Sequence, residues 1–272
     1  MPLKLEVDRE SLYRHLSQWP DEHMLITAER IASQILPFVH RGIKNHPAHG
    51  PDHSIRVIEY INSIADILKS RGLALNQTEI KLLYISGWLH DLGNFYDREQ
   101  HSIESCKILT TLKDSFQFGN LQQFLEYIIK YHPSDFDLAE VPTTPIDFDG
   151  DKIRLPLLCA LFRLADACHM GEDRAMRVVL KLLSVEPEWS SGKADAFWKG
   201  NEAILSVDLS AKEKKIIILV SDRRAAKIMT DKFSEEFESV RGIIQDYLPF
   251  KEVEIREIPK ADLAEDYTKN LD

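Results

Sequence analysis

The residues of this sequence that could carry out chemistry are histidines and aspartates at inward positions of predicted helices. They are His53, His90, Asp91, His101, His132 and Asp166. A neutral imidazole or a carboxylate that loses water on burial needs a hydrogen bond or a metal ion in return. A single buried histidine or aspartate usually finds a hydrogen-bond partner within the core. Six such groups cannot easily all be hydrogen-bonded to one another. One or two divalent cations would satisfy all of them, and mixed nitrogen and oxygen ligands suit Mn, Fe, Co or Zn better than Ca.

The helix predicted to carry the adjacent His90 and Asp91 is the most regular in the chain. Its sequence over residues 82–93 is LLYISGWLHDLG, with apolar residues at three- and four-residue spacing. Asn76 and Glu79 have the spacing of a capping box that starts a helix, and Gly93 is expected to end it.

Four further helices are predicted to bring the other candidates inward, because each candidate continues an apolar stripe. The approximate ranges are 52–72 for His53, 100–112 for His101, 121–132 for His132 and 155–169 for Asp166. Between the last two helices, residues 134–152 are rich in Asp and Pro and are interpreted as a long loop that could cover a site.

The bulk composition is that of an ordinary globular protein. The chain has 272 residues, 44% of them hydrophobic, and a net charge of -10 that argues against binding duplex nucleic acid. Neither a membrane span nor a signal-peptide core is found, so we expect a cytoplasmic protein without membrane contact. Three cysteines without CxxC spacing predict neither a disulfide framework nor a zinc-thiolate site.

The fold class predicted is mainly α, with a small C-terminal α/β appendage. AILSVDL and KKIIILV have the composition of strands, a helix of roughly 20 residues should follow from about residue 223, and FKEVEIREI indicates a third strand. The predicted organisation is a helical metal-binding domain over residues 1–183, a β-β-α-β appendage over 184–260 and a mobile tail over 261–272.

The order of these motifs resembles the HD-domain metal-dependent phosphohydrolases. HSIRV, WLHDLGN and RLADACH match the motifs of that superfamily over about residues 50–183. The resemblance implies an all-helical fold with its metal site in a central cleft. It implies that the first metal would be held by His53, His90, Asp91 and Asp166.

The two remaining histidines resemble those of a two-metal subgroup that includes HD-GYP-type cyclic-dinucleotide phosphodiesterases. There His101 and His132 would serve the second metal, and Asp91 would bridge both. The sequence departs from HD-GYP enzymes at Asn94, where they usually have lysine, and YHPSDFD replaces their GYP stretch. These departures weaken the case for cyclic-di-GMP as the substrate.

The leading functional hypothesis is a metal-dependent phosphohydrolase, a phosphomonoesterase or phosphodiesterase, acting on a nucleotide or another small phosphorylated substrate. A water activated by two divalent ions would be the nucleophile, with Asp91 as the catalytic residue. Mn or Fe is expected, with Mg, Co, Ni or Zn as alternatives. Guanidinium groups match phosphate oxygens, so Arg56, Arg163 and Arg174 are candidate substrate contacts. Asn94 is a further candidate.

Two other hypotheses keep the same site. One is a di-iron oxygenase similar to myo-inositol oxygenase, which shares the HD fold and would consume oxygen. The other is a nucleotide-sensing or scaffolding module with the C-terminal unit as its partner surface. Homo-oligomerisation is left open by the sequence.

Overall fold

A computed structural model of the chain describes residues 8–18, 22–41, 50–171, 174 and 193–258. The described residues are mostly helical, with two small sheets, which confirms the predicted fold class. The chain divides into two compact units. They are Met1–Ile43 with His49–Asp166, and Lys44–Ala48 with Ala167–Asp272.

Helices dominate the first unit. They are α1 (Arg9–Leu12), α2 (His23–Ile35), α3 (Pro51–Ser70), α4 (Gln77–Leu89), α5 (His101–Thr111), α6 (Lys113–Phe116), α7 (Gln122–Lys130) and α8 (Leu155–Cys168). Short 3₁₀ turns span Leu36–Arg41, Leu92–Phe95, Gly119–Leu121 and Leu138–Glu140. No helix in the described part of the chain is long and apolar enough to cross a bilayer.

Helix α4 is the central element of this unit. It packs against α2, α3 and α7, and every residue from Leu82 to Leu89 is buried. The predicted capping box is present, since Asn76 Oδ1 accepts from the Glu79 N–H and the Glu79 carboxylate accepts from the Asn76 N–H. The capping box and the burial of residues 82–89 hold α4 in place, and α4 in turn positions His90 and Asp91, which follow its last residue.

The end of α4 differs from the expectation for Gly93. The helix ends at Leu89, four residues earlier, and Gly93 lies inside the 3₁₀ turn Leu92–Phe95 with no left-handed backbone. A Cβ on Gly93 would lie 1.9 Å from the carbonyl oxygen of His101 and 2.5 Å from the amide nitrogen of Ser105. Glycine is therefore needed here because the turn lies directly against the start of α5.

Residues 134–152 are more ordered than the predicted loop. They contain a 3₁₀ turn and the first strand of an antiparallel hairpin, β1 (Ile146–Phe148) with β2 (Asp151–Ile153). Thr78 and Asn76 bind the hairpin at the N-terminal end of α4. Since α4 has 13 residues and is therefore about 20 Å long, the hairpin lies at the opposite end of α4 from His90.

The second unit contains the predicted β-β-α-β order. Helix α9 (Lys193–Glu202) precedes β3 (Ile204–Ser210), β4 (Lys215–Val220), α10 (Arg223–Ile244) and β5 (Glu252–Glu257). Strand β4 is central, antiparallel to β3 and parallel to β5. The parallel pair needs a long crossover, which α10 supplies. The domain boundary near residue 183, the predicted helix beyond residue 174 and the tail from residue 261 fall on residues outside the described ranges and remain predictions.

Candidate metal centre

The structure brings His53, His90 and Asp166 together from three helical segments. His53 Nε2 lies 3.1 Å from His90 Nε2 and 3.0 Å from Asp166 Oδ1. His90 Nε2 lies 3.5 Å from the same oxygen. Burial raises the pKa of Asp166, but hydrogen bonds from the two imidazoles outweigh it and hold the pKa well below its ordinary value. The carboxylate is therefore charged and faces two ring nitrogens.

Asp91 lies between two groups of histidines. Its Oδ2 is 3.4 Å from His53 Nε2 and 3.6 Å from His90 Nε2, whereas its Oδ1 is 3.8 Å from His101 Nε2. The two oxygens of one carboxylate thus face different imidazoles. This is the arrangement that a bridging carboxylate requires.

His101 and His132 form the other side of the centre. Their Nε2 atoms are 3.0 Å apart, and both side chains are buried. His132 also belongs with His90 and Asp91 to a group whose potential ligand atoms all lie within 4.8 Å of one another. All six predicted ligands therefore meet in one place.

The ring orientations show which nitrogen of each imidazole faces the centre. The Nδ1 atoms of His90, His101 and His132 lie 3.2, 2.8 and 2.7 Å from the carbonyl oxygens three residues earlier in the chain. A carbonyl only accepts, so Nδ1 carries the hydrogen and the Nε2 of a neutral ring presents a lone pair. Whenever one of these rings is neutral, its lone pair is thereby held in a fixed direction.

Two of these imidazoles have lowered pKa values, which favours the neutral ring. Burial, together with the neighbouring His101 and His90, lowers the pKa of His132 to about 3. Burial also lowers the pKa of His101. Two neutral rings with Nδ1–H then point lone pairs at each other across 3.0 Å, which is repulsive unless a cation lies between them.

The spacing of the ligand atoms of four of these residues fits a metal. Nitrogen and oxygen ligands about 2.0–2.2 Å from an ion lie about 3.0–3.6 Å from one another. The distances around His53, His90, Asp91 and Asp166 run from 3.0 to 3.6 Å. The His and Asp clusters could therefore hold metal ions.

Ser105 on α5 supports the centre and was not identified from the sequence as functional. Its Oγ accepts from the Gly93 N–H at 2.8 Å and donates to the His90 carbonyl at 2.6 Å. One hydroxyl thereby fixes the backbone on both sides of Asp91. Its inward position on the α5 stripe was the only sequence signal.

Arg98 was also missed. Its Nη1 donates to Asn94 Oδ1 at 3.3 Å, and Asn94 Nδ2 donates to Asp91 Oδ1 at 2.7 Å. The Arg98 carbonyl accepts from His101 Nδ1. Arg98 and Asn94 thus orient the Asp91 carboxylate, and Arg98 also orients the His101 ring. Contact of Asn94 with substrate remains a prediction.

The three arginines predicted to bind substrate lie in different settings. Arg56 is exposed and forms an ion pair with Glu59 at 2.7 Å. Arg163 is buried and donates to the carbonyls of Tyr131 and Phe136, which flank His132 in the chain. Arg174, in the second unit, donates to the His169 carbonyl. Their roles as substrate contacts remain predictions.

Burial raises the pKa of the Cys159 thiol to about 12, and all three cysteines are free.

A family model matches this chain. Neither the curated proteins nor the solved structures contain a match to the chain. The model of the HD-CE family, which is related to the HD domains, matches residues 30–256 and so covers both the metal centre and the sheet of the second unit. With this match over most of its length, the chain belongs to the HD-CE family.

Proposed function

We propose that this protein is a metal-dependent phosphohydrolase that acts on a nucleotide or another small phosphorylated compound. The proposal combines membership of an HD-related family with the geometry of the centre. The observation that carries it is the position of Asp91, whose two oxygens face His53 and His90 on one side and His101 on the other. A centre with two such sides is suited to two ions.

The residues that would hold the first ion are His53, His90, Asp91 and Asp166, and those that would hold the second are Asp91, His101 and His132. Divalent ions, when bound, supply activation of a water near neutral pH and offset the negative charge of phosphoryl oxygens. In the hydrolysis, the oxygen of a water bonds to phosphorus while the ester P–O bond breaks, and the departing alcohol oxygen takes up a proton.

The surrounding residues keep the ligands ready for this role. The three Nδ1–H groups bound to carbonyls prevent the rings from rotating. The hydrogen bond from Asn94 uses one of the two lone pairs of Asp91 Oδ1, so the other lone pair remains available. Arg98 places a guanidinium next to Asn94, where a phosphate oxygen could reach it.

The test is hydrolysis by the full chain after metal removal and reconstitution. The protein is stripped with a chelator, supplied with Mn²⁺ and incubated with mononucleotides, cyclic nucleotides and dinucleoside polyphosphates, and the products are separated and quantified. Hydrolysis of at least one class that depends on added metal is expected. Absence of hydrolysis across the panel with metal bound would contradict the proposal.

Two controls make the result specific. Mn²⁺ should support the reaction without oxygen consumption, whereas dependence on iron with uptake of oxygen would indicate the oxygenase alternative. Asp66→Asn alters an exposed carboxylate that pairs with Arg14 near the other end of α3 from His53. This variant should hydrolyse the substrate as the wild type does.

A further inference from the structure

The exposed large hydrophobic side chains of the described residues lie on two neighbouring turns. Phe38 and Phe95 are each 43% exposed and Tyr96 is 65% exposed. Phe38 belongs to the 3₁₀ turn Leu36–Arg41, which packs against the turn Leu92–Phe95. We call these three side chains the aromatic patch. The rings of Phe95 and Tyr96 lie edge to face, with their centroids 5.0 Å apart.

The aromatic patch is connected to the metal centre by a short, hydrogen-bonded piece of chain. The Asn94 N–H donates to the Asp91 carbonyl, and the Tyr96 N–H donates to the Gly93 carbonyl. At the roughly 2.0 Å rise of a 3₁₀ turn, the Cα of Tyr96 is no more than about 10 Å from that of Asp91. The backbone that carries the rings therefore lies within the span of a small molecule held at the centre.

The segment that carries the patch also carries a cation. Arg98 follows Tyr96 by two residues, and its guanidinium donates to Asn94, which in turn donates to Asp91. Asp91 of the candidate centre, the rings of Phe95 and Tyr96 and the guanidinium of Arg98 thus all lie within residues 91–98. A ligand that matches these groups carries an anionic group for the centre and the guanidinium, and a flat, aromatic group for the rings.

We infer that the aromatic patch binds the base of a nucleotide whose phosphate lies at the metal centre. This inference rests on the proposed function and narrows its substrate class to phosphate esters that carry a purine or pyrimidine. Bases stack on aromatic side chains with little dependence on sequence, because every base has a π face. The patch therefore selects for the presence of a base rather than for one particular base.

The experiment compares two ligands that differ only in the base. Calorimetry with the Mn²⁺-loaded full chain measures Kd for a nucleoside 5′-monophosphate and for ribose 5-phosphate. The wild type should bind the nucleotide about tenfold or more tightly than the sugar phosphate. In the double variant Phe95→Leu with Tyr96→Leu, which keeps apolar bulk but removes the rings, this ratio should fall to near one.

Further variants separate stacking from folding. Tyr96→Phe keeps a ring and should keep the Kd ratio, whereas Tyr96→Ser, at the most exposed position of the patch, should lower it in a chain whose helical signal and metal content are unchanged. A wild-type ratio near one, a ratio unaffected by loss of both rings, equal weakening of both ligands, or no binding of either ligand would overturn the inference.

The same assay distinguishes the two proposals. Base-dependent binding without turnover would support base binding by the aromatic patch and contradict the proposed phosphohydrolase activity. Hydrolysis together with a Kd ratio that does not change when the rings are removed would support the phosphohydrolase and contradict base binding. The aromatic patch would then be a surface for another protein segment.

Discussion

Asp91 is the residue whose two oxygens face different histidines. Asp91→Asn keeps the shape of the side chain but removes its charge, so we expect metal-dependent phosphoester hydrolysis to fall by at least about 100-fold. Phosphate release under saturating Mn²⁺ is the measurement, with Asp66→Asn as the matched control. Turnover within a few-fold of the wild type, with full metal content, would show that Asp91 does not bridge.

His132 makes the metal-free protein sensitive to acid. An unfolded imidazole takes up a proton below about pH 6.5, whereas burial gives folded His132 a pKa of about 3. Between these values the unfolded state binds a proton that the folded state does not. This residue therefore leaves the free energy of unfolding at its full value above pH 6.5 and lowers it by about 1.4 kcal/mol per pH unit as the pH falls towards 3.

His132→Gln removes that proton linkage. Urea unfolding in the presence of a chelator, repeated between pH 7 and pH 5, should show a smaller loss of unfolding free energy per pH unit in the variant than in the wild type. The difference between the two proteins reports His132 together with His101 and His90, whose charges are coupled to it, because the other titrating groups are common to both. Equal slopes would mean that His132 is not buried as a neutral ring.

At the scale of elements, the contact between the turn Leu92–Phe95 and α5 allows no Cβ at position 93. Gly93→Ala would bring a methyl group against the His101 carbonyl and the Ser105 amide, and backbone atoms cannot move aside cheaply. We expect the free energy of unfolding to fall by about 2 kcal/mol or more.

Gly242 provides the control for this change. It lies within α10, and a Cβ there would meet nothing within 4 Å. Gly242→Ala should therefore leave stability unchanged or raise it by up to about 1 kcal/mol. Urea unfolding of both variants checks the pair, and an equal response at the two positions would contradict the packing described for Gly93.

Arg163 on α8 fixes the segment that contains His132. Arg163→Met keeps the length and removes the donors to the Tyr131 and Phe136 carbonyls, so about 2–3 kcal/mol of stability should be lost. Affinity for the second metal should also weaken, because His132 lies between the two anchored carbonyls. If Arg163 instead contacts substrate, KM will rise while stability and metal binding stay at wild-type values.

The elements that the sequence predicted well are those with local signals. The capping box at Asn76 and the left-handed Gly72 at the end of α3 both depend on residues within a few positions. The hairpin at residues 146–153 was missed because three-residue strands show little alternation. Its turn did carry a signal, since Asp149 and Gly150 both have positive φ, as an Asp-Gly hairpin turn requires.

At the scale of the whole molecule, the six residues that meet at the candidate centre could be predicted, but the residues that orient them could not. Each of the six continues the apolar stripe of its own segment, which a period of 3.6 residues reveals. Ser105 and Arg98 act through bonds to His90 and Asn94, which pattern analysis of single helices cannot detect. The orientation of the rings by carbonyls three residues earlier also appears only in the folded chain.

The charge of the molecule also bears on its function. Acidic residues outnumber basic ones to give a net charge of -10, so the overall field repels a phosphorylated substrate. Binding such a substrate therefore requires a local concentration of positive charge. A cation held by the clustered His and Asp residues would supply that charge, together with the guanidinium of Arg98.

Metal stoichiometry tests the centre itself. The protein is reconstituted with excess Mn²⁺, freed of loosely bound ion and analysed for metal per chain, beside the double variant His101→Ala with His132→Ala. Two ions per chain are expected in the wild type and about one in the variant, because His53, His90, Asp91 and Asp166 remain. A wild-type chain that binds no ion, or only one with metal in excess, would contradict the two-ion centre.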